Sequence, residues 1–111
     1  MHRFKELNIW KAGRVFASNI YSQTQNFPNE EKFGLVNQLR RAAVSIPSNI
    51  AEGASRSSKK EFARYIEIAI GSAYEIDTQL LIAMDIGFFN KKAHQNLDDD
   101  LQSLIRQLSK F

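Results

Sequence analysis

Apolar residues recur along this chain at three- and four-residue intervals, in four separate runs. In the first, from about Leu7 to Gln25, Ile9, Gly13, Phe16 and Ile20 fall on one stripe, with Trp10, Ala17 and Tyr21 beside it. This is the period that one face of an α-helix requires. Pro28 and its flanking asparagines in NFPNE end the run and predict a loop. The second run begins near Glu30, where Glu30 and Glu31 suit the positive end of a helix. It continues through Val36, Leu39, Ala43, Ile46 and Ile50. Pro47 interrupts it, because proline lacks the amide donor and crowds the preceding turn. The apolar period stays in phase across Pro47, so a kinked helix is predicted. The alternative is two helices meeting near Ser45, with Pro47 in the first turn of the second. Gly53 to Ser57 closes the segment.

The third run is the longest. Ser57 or Ser58 caps it, and Glu61 stands three residues after Ser58 as in a capping box. Phe62, Ile66, Ala69, Ala73, Ile76, Leu80 and Ala83 follow a 4-3-4-3-4-3 spacing, the seam of a close-packed helix pair. Ala69, Gly71, Ser72 and Ala73 would let a neighbouring backbone approach closely. Gly87 is a natural stop. The fourth run starts at Asn90 as N-cap and places Leu97, Leu101, Leu104, Leu108 and Phe111 on one face. Helices of this length joined by short loops lie antiparallel to their neighbours. The pattern therefore predicts an all-α fold: one antiparallel, up-down-up-down four-helix bundle over residues 1–111, its second helix kinked at Pro47.

Some apolar positions exceed what a lone bundle needs. Phe33, Leu35, Tyr65, Ile70, Tyr74, Leu81 and Met84 lie off the main stripes, followed by Phe88 and Phe89. A helix apolar round much of its circumference is buried on more than one side. A subunit interface is expected, against the plainer reading of a wide core face with a few exposed apolar groups.

Composition narrows the function more by exclusion than by indication. With 111 residues, 43% hydrophobic and 24% charged, the chain has the make-up of one ordinary globular domain. No stretch reaches the roughly 18 apolar residues that span a bilayer. The opening MHRFKELNIW has no h-region, and a cytoplasmic location is expected. There is no cysteine, and the two histidines, His2 and His94, stand outside any Glu-x-x-His or His-Glu-x-x-His spacing. No metal, cofactor or activated nucleophile is expected, and so no enzyme. Asp98, Asp99 and Asp100 are consecutive and point apart on a helix. Net charge is +3, and residues 1–25 alone carry +3 from Arg3, Lys5, Lys11 and Arg14 against Glu6. Residues 58–90 carry −2. Such a surplus permits phosphate binding without demanding it.

The most informative stretch is QLRRAAVSIPSNIAEGASRSS, from Gln38 to Ser58. On a helical wheel Asn37, Arg41, Ser45, Ser48, Glu52 and Ser55 stand at offsets 0, 4, 8, 11, 15 and 18, one unbroken polar stripe. Glu52 and Arg56 have the spacing of an ion pair. In a structural reading these groups satisfy one another and the carbonyl freed by Pro47. In a functional reading Arg40, Arg41, Arg56, Lys59 and Lys60 hold a phosphate backbone, with Lys11 and Arg14 in a second patch beside Arg3 and Lys5. The need of buried polar groups for partners favours the first. Trp10, Tyr21, Tyr65 and Tyr74 could stack bases, but helical spacing reads them as core or interface.

The segments FGL, QLRRA, SIPSNIAEG and GSAYE, in that order, resemble the small bacterial four-helix-bundle proteins encoded within intervening sequences of large-subunit ribosomal RNA genes. The upstream FKELNIWKAGRVF fits that family's opening helix, and the similarity spans about residues 4–90. It implies an up-down-up-down bundle assembled as a ring-shaped homopentamer, with no assigned catalytic activity. A similar protein accompanies the reverse transcriptase of diversity-generating retroelements and is associated with nucleic acid and with that enzyme. The resemblance therefore implies an accessory protein that contacts RNA or DNA; the alternative is an oligomeric scaffold for a protein partner. Where many relatives read Ala-Arg-Gly-Ser, this chain has Ala69-Ile70-Gly71-Ser72, which removes one cation from the third helix.

Overall fold

The computed structural model describes residues 2–111. Four α-helices account for most of them: α1 (Asn8–Thr24), α2 (Leu35–Ala54), α3 (Lys59–Asp85) and α4 (Lys91–Lys110). Among the described residues there is no strand. The helices pack as a bundle of about 44 × 25 × 19 Å. Contacts between consecutive helices run in opposite order along the two partners. Arg40 of α2 bonds Thr24 at the end of α1, while Ile46 and Pro47 approach Gly13 nearer its start. From α2 to α3, Gln38 meets Gln79, Ser45 meets Ser72 and Gly53 abuts Phe62.

The predicted apolar stripes form the core. Ile20, Leu39, Ile46, Ile50, Ile76, Leu80, Leu101, Leu104 and Leu108 are sealed from water. The caps follow the sequence as well. Ser58 Oγ accepts the Glu61 amide at 3.1 Å, and Asn90 Oδ1 accepts that of Ala93 at 2.8 Å. Gly87 adopts φ 85°, where a side chain would be strained. There the Phe88 amide reaches the Ala83 carbonyl and the Gly87 amide that of Met84, so the last turn of α3 is satisfied by its own backbone.

Several expectations need correction. The second helix begins at Leu35 and not near Glu30; Asn29–Glu31 form only a 3-10 turn. Glu31 is a cap standing outside the helix, its Oε1 accepting the Leu35 amide at 3.2 Å. A carboxylate suits that position because the first amides of a helix lack partners. Pro47 lies inside one continuous helix, which removes the alternative of two helices meeting near Ser45. A further 3-10 turn at Phe4–Glu6, absent from the sequence reading, folds Phe4 edge-on against Trp10. Phe88 and Phe89 are used within the chain. Both pack on Phe27, with ring centroids 5.1 and 4.9 Å away, and close one end of the core. Gly71 admits no neighbouring backbone within the chain; nothing lies within 4 Å of where its Cβ would be. The α2–α3 approach runs past Ser72, which bonds Ser45, and fully buried Ala69 and Ala73, and is tight at Gly53, where an added Cβ would meet Tyr65 Cβ at 2.8 Å.

Candidate nucleic-acid interface

The cations singled out in the sequence separate into two kinds. Arg40 and Arg56 are committed within the chain. Arg40 Nε donates to Thr24 Oγ1 at 3.0 Å, and its NH2 group donates to the Tyr21 carbonyl at 3.3 Å. The same guanidinium lies 4.6 Å from the Tyr21 ring centroid. It thus caps the carbonyl end of α1, where the helix dipole favours a positive charge. Thr24 is buried and fully used, since its hydroxyl also donates to the Ile20 carbonyl at 2.7 Å.

Arg56 does comparable work at the other end of α2. It donates to Tyr65 Oη at 2.8 Å, lies over the Tyr65 ring, and pairs with Glu52 at 3.5 Å. The expected Glu52–Arg56 pair therefore forms. Its Nε is buried without a partner, so the side chain is held by its other nitrogen and by the ring face. Along the α2 axis these two arginines stand about 24 Å apart at ~1.5 Å per residue, too far to grip one phosphate.

The remaining candidates are exposed. Lys11 and Arg14 lie on the outer side of α1, Arg41 on α2, and Lys59 and Lys60 in the first turn of α3. Among the described residues only Arg3–Glu6 and Arg56–Glu52 form ion pairs. Arg14 rests over the Trp10 ring, 5.6 Å from its centroid, and Lys5 lies near Phe4. The best-gathered group is thus Lys5, Lys11 and Arg14, which with Trp10, Val15, Ser18 and Asn19 line an open hollow of about 650 Å³.

The polar stripe of α2 divides in the structure. Ser45 turns into the α2–α3 seam, bonding Ser72 Oγ at 2.9 Å and accepting the Asn49 amide. Asn49 also donates to the Ser45 carbonyl at 2.8 Å. Glu52 serves Arg56. Asn37, Arg41, Ser48 and Ser55 remain exposed. Sequence reasoning missed Gln38 and Gln79, which meet across the same seam; their positions seven residues from Ser45 and Ser72 were the available signal. Asp98, Asp99 and Asp100 do point apart: Asp98 bonds Gln102, Asp99 bonds Gln95, and Asp100 faces α1.

Residues 5–110 match the family described as 23S rRNA-intervening sequence protein. The chain belongs to that family. A crystal structure of a protein of unknown function from the S23 ribosomal protein family of Bacteroides thetaiotaomicron superposes with a TM-score of 0.85. The two are 22% identical, and the match covers 92% of each chain. At that identity the likeness establishes a shared bundle. A comparison with curated proteins finds no match. Among the described residues no helix is long and apolar enough to cross a membrane.

Proposed function

We propose that this chain is a non-enzymatic, cytoplasmic accessory protein that assembles as a homo-oligomer, on the pentameric pattern the resemblance implies, and holds RNA or DNA on a basic surface. The observation that carries the reading is the set of exposed cations without carboxylate partners: Lys11 and Arg14 on α1, Arg41 on α2, Lys59 and Lys60 on α3. Arg40 and Arg56 support the scaffold around them. A family name drawn from ribosomal RNA is in keeping with an RNA setting. Phosphate binding releases counterions, so affinity falls steeply with salt. Gel-shift assays at low salt should retain RNA or DNA, and reversing charge at Arg41 and Lys60 together should weaken retention. No retention by the unmodified protein at low salt would sink the proposal.

Assembly has its own support. Phe33, Tyr74, Leu81, Ile82 and Ile86 are large, apolar and exposed on the isolated subunit. These same residues favour a second reading, a scaffold that docks a protein partner and no nucleic acid. In that case Arg41→Ala should shift the oligomer toward monomer. Sedimentation of that variant separates the two, because an unchanged oligomer counts against a scaffold role for Arg41.

A further inference from the structure

We propose that the outer side of α1, together with the α1–α4 seam, is a binding trough for single-stranded nucleic acid. This rests on the reading that the protein binds nucleic acid, and assigns the site and the form of ligand. Three open hollows of about 650, 330 and 380 Å³ lie along this side, and Asn19 lines all three. The 330 and 380 Å³ hollows run along the α1–α4 seam beside α1 from Lys11 to Gln23, and the 650 Å³ hollow lies across the ridge of Lys11, Val15 and Asn19 that borders them. That side of α1 is about 18 Å long at ~1.5 Å per residue, room for a few nucleotides of an extended strand.

Three kinds of group meet there. Lys5, Lys11, Arg14 and Lys92 line the trough against a single acid, Asp100. This balance suits a polyanion. Amide side chains follow the cations along α1 and α4: Asn19, Gln23 and Asn96 each offer a donor and an acceptor, the pair that an exposed base edge presents. Trp10 supplies a flat aromatic surface, held edge-on by Phe4 and overlain by the Arg14 guanidinium. Bases stack on aromatic rings and on guanidinium planes alike. Val15, 60% exposed, adds apolar contact between the cations.

The mixture decides the ligand. A duplex keeps its base faces stacked inside, and would leave Trp10 idle. An acidic peptide could bond the amides through its backbone, but its carboxylates offer Trp10 no flat ring to stack on. A single strand engages all three.

The chain contains one tryptophan, so its emission reports on this site. Titration of the assembled protein with a short oligouridylate should quench Trp10 fluorescence. The matched RNA duplex should bind more weakly at the same salt. Trp10→Leu should weaken single-strand binding by roughly tenfold, the scale of one lost base stack. Lys11→Glu with Arg14→Glu, both at exposed positions, should remove the Trp10 quench and weaken single-strand binding while circular dichroism stays unchanged. Retention of RNA without a change in Trp10 emission would overturn the placement. Equal or tighter binding of duplex, or of polyglutamate, would overturn the ligand. Failure to retain any nucleic acid at low salt would instead remove the broader reading.

Discussion

Two glycines in the α2–α3 pair make opposite demands on the same substitution. Gly53 is buried near the end of α2, and a Cβ there would lie 2.8 Å from Tyr65 Cβ and 2.9 Å from Phe62 Cδ1. The Phe62 ring can turn aside, but Tyr65 Cβ is fixed to the α3 backbone, so the helices must separate. Overpacking of this kind costs about 1–3 kcal/mol, and relief of glycine's backbone entropy returns about 0.5–1 kcal/mol. Gly53→Ala should therefore lower stability by about 1–2 kcal/mol. Gly71 sits mid-helix on α3 with nothing within 4 Å of its would-be Cβ. Gly71→Ala keeps the propensity gain with no clash, and should raise stability by about 1 kcal/mol. Urea unfolding followed by circular dichroism measures both, and in thermal scans 1 kcal/mol corresponds to about 4 °C for a domain of this size. Each variant should be run at two protein concentrations, because assembly couples stability to concentration. If Gly53→Ala stabilises as much as Gly71→Ala, the close approach of α2 and α3 is wrong. A loss at Gly71 that grows on dilution would mean that a second subunit uses the open space there.

Other substitutions test the local assignments. Arg40→Ala removes a charge-assisted cap from α1 and leaves the Thr24 hydroxyl with its Ile20 bond but without a donor; urea midpoints should report a loss of about 1.5–3 kcal/mol, while gel shifts at low salt stay unchanged. Gly87→Ala forces a side chain into the left-handed region at φ 85°, and thermal unfolding should show a loss of about 1 kcal/mol. Asn90→Ala deletes the acceptor for the Ala93 amide, costing about 1 kcal/mol in the same assay, whereas Asn90→Asp should retain it.

The helices were legible because each stripe answers to one local rule. Ile46 and Ile50 stay in phase with Val36 and Leu39 whatever lies between, so the second run could be read through Pro47. Ser58, Asn90 and Gly87 announce their caps through residue type alone. What escaped depends on partners distant in the chain. Phe27 sits beside a proline in a loop, and only the return of α3 brings Phe88 and Phe89 onto it. Arg40 looks like any surface cation until α1 presents the Tyr21 carbonyl, nineteen residues back. The trough was illegible for the same reason. The two hollows of the seam take residues from both α1 and α4, which lie some seventy residues apart in the chain, about the distance from Asn19 to Lys92.

The α2–α3 seam explains why the polar stripe could not be read as one thing. Gln38 faces Gln79, Ser45 faces Ser72, and Arg56 joins Glu52 to Tyr65. Seven residues separate Gln38, Ser45 and Glu52 in turn, and seven separate Gln79, Ser72 and Tyr65 in the reverse direction. The three rungs therefore share one register. An apolar seam of alanines and isoleucines tolerates a slip of one helical turn, since small and branched side chains refill the space. These rungs do not. A slip of three or four residues would leave buried Gln79 and half-buried Ser45, Ser72 and Arg56 opposite unrelated neighbours, and unpaired buried donors and acceptors cost about 1–3 kcal/mol apiece. Polar groups on this edge of α2 thus specify the pairing of two long helices whose alanine-rich core, Ala43, Ala69 and Ala73, does little to fix it. Gly53 reinforces the choice, because only this register sets it against Tyr65 and Phe62. Asn37, Arg41, Ser48 and Ser55, which belong to the same wheel stripe, stand outside the seam and are left available to whatever the α2 face meets.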